Sequence, residues 1–443
     1  MKIPKKFKPL HVLAALLITC LFSCKSGPVN LFKSTSPHEA YQRKLITAGL
    51  DKTAMVTSWI NAADQSLQKA LNISIPFKET GYFAAERIPA AAYKFTATRG
   101  QKLNIILSKN PTELFTIYMD VWEQNEDGRP KLLAAADTLG NPLQLEIKHT
   151  GTYLIRLQPE LLRSGQYTLE ITLGPSLAFP VKSAGRNNIQ SYWGDGRDAN
   201  SRKHEGIDIF SSFRTPVIAA AEGTVVRVNE NNLGGKVVWM RPKGRDYTLY
   251  YAHLDQQTVV EGQQVQIGDT LGLMGNTGNA KNTAPHLHFG IYASGGAIDP
   301  LSFVNPTIKP AASITAALNN LNATLRTTGN TILRAAPNVT AIQLQSLKSG
   351  TILHVNAANS AWYTVQLPNG LTGFIQNKQV VNVEKPLGSL KVKASQLAVY
   401  DHPDSLAAIK SNLPTGKLVT ILGHFENYHL IKDGQEQTGW IKM

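Results

Sequence analysis

A chain of 443 residues is longer than one hydrophobic core ordinarily fills, so the sequence predicts about three or four domains. Hydrophobic residues make up 42% and charged residues 17%, a composition of folded domains that excludes a disordered or collagen-like chain. The net charge of +14 suits anionic polymers or membrane surfaces, although four of those charges are lysines before residue 24 and the rest are spread along the chain.

The first predicted element is a targeting segment. Lys2, Lys5, Lys6 and Lys8 precede an apolar run over residues 12–22, the pattern of a secretory signal peptide, here residues 1–23. The run is too short for a membrane-spanning helix. Its end, "LFSC" at residues 21–24, resembles the lipobox of bacterial lipoproteins. That resemblance implies cleavage before Cys24, acylation of its thiol, and a membrane partner reached through the N-terminal lipid. Lys25 and Ser26 lack the aspartate that retains enterobacterial lipoproteins at the inner membrane, so the expected location is the outer membrane, facing the periplasm. Cys20 is the only other cysteine and leaves with the signal, so no disulfide is expected. An exported chain of this kind has no expected nucleic-acid partner.

Residues 24–40 have the Ser, Pro and Gly content of a tether. Ile46, Leu50, Val56, Ile60, Ala63, Leu67 and Leu71 then recur at helical spacing and predict one amphipathic helix over residues 41–71, ended by Asn72 and Pro76. Short alternating runs between residues 77 and 174 predict a β-sandwich. Its stretch "GTYLIRLQPELLRSGQYTLEI" is similar to the pre-peptidase domains of secreted bacterial proteases, so residues 41–175 read as a non-catalytic accessory domain. Residues 179–304 predict a second, mostly antiparallel sheet punctuated by Gly223, Gly234, Gly235 and Gly244.

A Pro, Ala and Asn linker with a short helix at 311–325 is expected over residues 305–328. Beyond it the chain repeats at an offset of 66 residues: Pro337 aligns with Pro403, Gly350 with Gly416, and Trp362 with Tyr428. The two copies, residues 329–385 and 388–443, resemble bacterial SH3 domains, which implies two small β-barrels serving as wall-binding modules or spacers. The expected fold class is therefore mainly β and multidomain.

Four of the 11 histidines fall between residues 204 and 288. "PHLHFGIY" places His286 and His288 two apart in a strand-forming run, so both imidazoles face the same side. "HEGIDIF" is not a zinc-protease helix, because Gly206 is poor in a helix interior and Ile207, Ile209 and Phe210 favour a strand. Positions i and i+4 also share a face in a strand, so His204 and Asp208 can ligate one ion. A catalytic zinc takes three protein ligands and an open position. His204, Asp208 and one histidine of the H-x-H pair supply them. "YYAHL" ends another β run at His253, a further imidazole for acid–base work.

"HEGIDIF", "LYYAHL", "MGNTG" and "PHLHFGIY" stand in the order and spacing of the lysostaphin-like M23 metallopeptidases, the LytM type, and the resemblance covers residues 179–304. It implies that His204, Asp208 and His288 bind Zn²⁺. His253 and His286 would orient and deprotonate the attacking water and stabilise the developing oxyanion, while Glu205 has no catalytic role. The expected activity is zinc-dependent endopeptidase cleavage of cross-links or stem peptides of peptidoglycan, with the D-Ala to diaminopimelate bond as the substrate reading. The alternative is a catalytically inactive relative that binds the wall and activates an amidase.

Overall fold

The computed structural model describes residues 35–443 apart from residue 198. The expected leader, Cys24 and most of the tether lie outside the described residues. The fold is mainly β, with 47% of residues in strands and 11% in helices. No helix among the described residues is long and apolar enough to cross a membrane.

The single helix expected over residues 41–71 is two helices, Pro37–Thr47 and Ala54–Gln68. The first begins inside the expected tether. Gly49, with φ of 72°, follows the first helix in the left-handed region that favours glycine. Thr53 opens the second as its N-cap, its hydroxyl accepting from the Val56 N–H. Only the second helix carries a substantial buried apolar face, formed by Val56, Trp59 and Ala63. Ile46 and Leu50, in phase by sequence, are exposed because the break takes them out of register with that face.

Two sheets follow. Gly151–Pro159 lies between Ala91–Ala97 and Ile117–Gln124 in one, and Gly165–Pro175 lies between Phe77–Phe83 and Gln101–Asn110 in the other. Their inward residues, among them Phe95, Val121 and Ile155 from the first and Leu103, Ile105 and Leu169 from the second, form one core. The second sheet does not end at Phe77–Phe83. That strand pairs with Ile352–Asn359, Thr80 opposite Ala358 and Gly81 opposite Ala357, so the accessory domain and the first repeat share a sheet. Trp362 and Phe374 of the repeat pack into the accessory core.

Part of the segment expected to be a linker is structured. Thr324–Thr327 pairs with Ile352–Asn359 and Val380–Asn382, and Leu325 is fully buried, so the first repeat unit begins there. The helix expected at 311–325 is only the 3₁₀ turn Leu318–Asn320. At the repeat offset, Gly350 and Gly416 hold φ of 86° and 84°.

Between these parts lies a ten-stranded antiparallel sheet. Its central order is Ile189–Ser191, Ile207–Phe210, His286–Ala293, Tyr247–Gln257, Gly235–Pro242, Gly223–Asn231. Alternation sorts its faces. Ile207, Ile209, Leu249, Tyr251, Leu287, Phe289 and Ile291 are fully buried on the core side. Asp208, Tyr250, Ala252 and His288 therefore face the other way. The accessory domain meets this sheet through Arg245, whose guanidinium donates to Glu146 at 2.9 Å, and through Gly100 against the Phe303 ring. Arg245 lies two residues before Tyr247, which is itself five residues and thus about 17 Å along its strand from Ala252 in the His288 row.

Candidate metal centre

Ser191, Asp208, His288 and Ala252 stand abreast on four neighbouring strands, with Asp208 directly opposite His288. His204 comes from the turn leading into Ile207–Phe210. Its backbone N–H donates to the Asp195 carbonyl, and its own carbonyl accepts from Gly194. His204 Nε2, Asp208 Oδ1 and His288 Nδ1 converge, with His204 at 2.8 Å from His288 and 3.0 Å from Asp208, and His288 at 3.0 Å from Asp208. Among the described residues they form a group able to hold a metal ion.

The hydrogen bonds around the trio fix what its converging atoms carry. His204 Nδ1 must donate to the Tyr192 carbonyl, at 2.9 Å, because a carbonyl only accepts. With Nδ1 so engaged, Nε2 is the ring atom turned toward Asp208 Oδ1 and His288 Nδ1. Burial opposes ionisation of Asp208, but its partners His204 and His288 outweigh burial, through hydrogen bonding and positive charge, and hold its carboxyl well below the usual range. Burial lowers the pKa of His288. An ionised Asp208 between two imidazoles favours positive charge at their centre, which a cation bound by the three atoms would supply. Two nitrogens and one carboxylate oxygen form a zinc donor set, and their separations lie close to the roughly 3.3 Å between ligands on a tetrahedral zinc with bonds of about 2.0–2.1 Å.

Supporting residues that sequence reasoning passed over orient these ligands. Arg197 donates to Asp208 Oδ2 at 2.8 Å and to Ser191 Oγ at 2.6 Å. Ser191 Oγ in turn donates to Asp195 Oδ2, which also accepts from the Tyr192 N–H. Gly206 leaves space for the His288 ring: a Cβ there would lie 2.7 Å from Cε1 and 2.8 Å from Nε2. Asp195, Arg197 and Gly206 lie in "GDGRDANSRKHEGIDI" and Ser191 and Tyr192 just before it, but nothing in their spacing separates them from ordinary loop residues.

His253 and His286 join the trio. The odd-numbered residues Tyr247, Leu249 and Tyr251 enter the core, yet so does Leu254, so the alternation slips by one residue at His253. His253 carries the slip with φ of 62°, a left-handed conformation costly for a non-glycine residue and held by its surroundings. Its N–H donates to the Gly234 carbonyl, and Nδ1 donates to the Thr277 carbonyl at 2.9 Å. Thr277 is fixed by its hydroxyl, which donates to the Leu254 carbonyl and accepts from the Lys236 N–H. "MGNTG" is therefore the brace behind His253. His286 Nδ1 donates to the Ala284 carbonyl at 2.9 Å, and its ring stacks on Phe210. The two imidazoles lie 4.9 Å apart by ring centroids, and His253 lies 6.0 Å from His288. With both Nδ1 atoms committed as donors, the neutral rings keep basic Nε2 atoms. Burial first, then His286 and His288, bring the pKa of His253 down to about 4.

Glu205 is exposed, and the Tyr292 hydroxyl donates to it at 3.5 Å. All five histidine and aspartate positions singled out from the sequence are brought together, and Glu205 stands apart from them.

A His, Asp, His set carried by two neighbouring strands and the turn before one of them, with two further imidazoles beside it, has the composition of a metal-dependent hydrolytic centre. Residues 202–300, which include every one of these groups except the supporting loop, match the model of Peptidase family M23. The chain is similar over 106 residues, at 42% identity, to an uncharacterized metalloprotease of Haemophilus influenzae, covering 24% of this chain and 22% of that protein. It is 34% identical over 127 residues to an L-Ala–D-Glu endopeptidase of Bacillus subtilis, covering 27% and 39%. It is 34% identical over 94 residues to the peptidoglycan DD-endopeptidase ShyC of Vibrio cholerae, covering 21% of each. The chain thus spans well under half the length of these relatives.

Proposed function

We infer that this protein is a zinc-dependent peptidoglycan endopeptidase, cleaving peptide cross-links or stem peptides of the bacterial wall. The observation that carries this reading is the convergence of His204 Nε2, Asp208 Oδ1 and His288 Nδ1 at 2.8–3.0 Å. Bound there, Zn²⁺ supplies a Lewis acid that acidifies water and polarises the scissile carbonyl. His253, neutral near pH 7 and fixed through Nδ1, accepts the proton of the attacking water at Nε2 and returns one to the departing amine. His286, fixed through the Ala284 carbonyl and stacked on Phe210, orients water and stabilises the developing oxyanion.

Wall peptide as substrate is supported by the relatives named as peptidoglycan DD-endopeptidase and as L-Ala–D-Glu endopeptidase. Their different bonds leave two positions to compare. The D-Ala to diaminopimelate cross-link is our reading, with the lipid on Cys24 holding the enzyme at the outer membrane, facing the periplasm, and the repeats helping to hold it on the wall. The amidase-activating alternative is not favoured, since none of the five site positions is missing. Incubating the protein with purified sacculi, with and without chelator, tests the reading. Metal-dependent release of muropeptides is expected, and zinc-loaded protein that releases none refutes it.

A further inference from the structure

Four connections cross between the two sheets of the accessory domain at one end: residues 84–90, 160–164, 111–116 and 136–142. They join strands that are neighbours in both sheets, so they lie side by side in that order, in a row about 14 Å long. Each carries an apolar residue. Leu162, Leu114 and Leu139 are 66%, 78% and 83% exposed, and Ile88 is half-buried at one end of the row. Ile88, Leu162 and Leu114 hold φ of 48°, 61° and 57°, the left-handed region that is costly for such side chains. Single exposed leucines are ordinary, but an aligned row that strains its backbone and gains no burial from the fold serves something outside it.

The loops hold this row in place. The Ala85 N–H donates to Ser164 Oγ at 2.9 Å. Glu160 ties its loop to the next, its N–H donating to the Thr116 carbonyl and its Oε1 accepting from the Thr116 N–H. Asp137 Oδ1 accepts from the Leu139 N–H at 2.9 Å. The helix Pro37–Thr47 is fastened to the same end: the Leu161 N–H donates to the Tyr41 hydroxyl at 3.1 Å, and His38 Nε2 donates to Gln158 Oε1 at 2.6 Å. Residues 24–36 reach at most about 45 Å, so a lipid on Cys24 and this row can meet one bilayer. The catalytic sheet meets the opposite end, through Glu146 and Gly100, beyond the nine-residue strand Gly151–Pro159, about 27 Å long. Glu86, Glu113, Asp137 and Glu160 outnumber Arg87 and Arg163 on the four loops, so the row is not built to seek an anionic surface.

We propose that this row is a membrane-docking surface, its leucine and isoleucine side chains entering the headgroup layer of the bilayer that holds the N-terminal lipid. This goes beyond the endopeptidase reading and rests on the proposed Cys24 anchor only for bringing the row to lipid. A lipid at the end of a tether sets distance but not orientation. The row adds the second contact that does, and it turns the catalytic sheet away from the bilayer.

The test uses the full mature chain with Cys24→Ser, which removes both the lipid and the last thiol. Thr112→Cys then carries a polarity-sensitive dye in the row, and Lys148→Cys carries it at the opposite end of the sandwich. On phosphatidylcholine vesicles the dye at 112 should shift to the blue and be quenched by brominated lipid, while the dye at 148 does neither. Replacing part of the lipid by phosphatidylglycerol should not strengthen binding. Leu114→Ser, Leu139→Ser and Leu162→Ser should each weaken partitioning about three- to fivefold, and the triple variant should lose the shift with its melting temperature unchanged. No shift at any lipid concentration, an equal shift at 148, or undiminished binding of the triple variant overturns the proposal. So does shielding of the dye at 112 in cell envelopes but not on vesicles, which would give the row to a protein partner. Acylation of Cys24 is read separately, by mass spectrometry of the unaltered chain taken from membranes, so a failed anchor and a failed row are told apart.

Discussion

Gly206→Ala is a one-methyl perturbation aimed at a single ligand. The added Cβ would sit 2.6 Å from the Phe289 carbonyl oxygen, 2.7 Å from His288 Cε1 and 2.8 Å from its Nε2. Contacts this short require displacement. The carbonyl belongs to a strand paired with Ile207 and cannot yield alone, so the imidazole must move by several tenths of an ångström. Overpacking of this kind costs about 1–3 kcal/mol. Disturbing the orientation of a metal ligand typically weakens metal affinity about 10–100-fold. Competition with a chromophoric chelator should therefore show Zn²⁺ affinity falling by at least tenfold, with a lower melting temperature for the metal-free protein. An alanine variant that binds Zn²⁺ within twofold of the parent would refute the argument that Gly206 is there to admit the His288 ring.

Arg197→Met removes the 2.8 Å partner of Asp208 Oδ2 and should weaken Zn²⁺ binding about tenfold, read by the same competition. His253→Ala should keep the metal but lower muropeptide release about 10²–10⁴-fold; a loss of zinc instead would reassign it as a ligand. Glu205→Gln should retain activity within twofold, and an inactive, folded, zinc-loaded variant would overturn the role given to Glu205. In the accessory core, burial pushes the Glu79 carboxyl up to about 7, against hydrogen bonds from the Tyr93 and Tyr167 hydroxyls that lower it. The folded chain then holds a proton that the unfolded chain releases from about pH 4.5, so this stability is present below that pH and lost as pH rises through about 7. Melting curves at pH 5 and pH 8 should show Glu79→Gln losing less stability than the parent across that range; equal losses would count against a buried protonated Glu79.

The site was legible because its chemistry is written as local pattern. "PHLHFGIY" and "HEGIDIF" alternate core and ligand residues at a period of two, and strands preserve that period on folding. His253 was legible as a residue type at a strand end, but its phase slip was not, because a left-handed residue depends on contacts with Gly234 and Thr277 that lie far along the chain. Arg197 and Ser191 were missed for a similar reason: their roles exist only once the loop folds over Asp208. Among the helices, Gly49 and Thr53 were the signals that split the expected single element, outvoted by an apolar spacing that ran through them. The shared sheet left no trace, since an edge strand reads alike whether its neighbour is solvent or a distant segment.

That shared sheet sets an order of events. Phe77–Phe83 emerges early in synthesis, but the neighbour that covers its edge, Ile352–Asn359, is made only after the whole of the ten-stranded sheet. Until then the accessory domain presents an open edge, a template for pairing with other chains, and lacks Trp362 and Phe374 from its core. Closing it needs contacts of very long sequence separation, which form slowly. A chain interrupted after residue 304 would be left with that edge open, and the strand Ile352–Asn359 covers it.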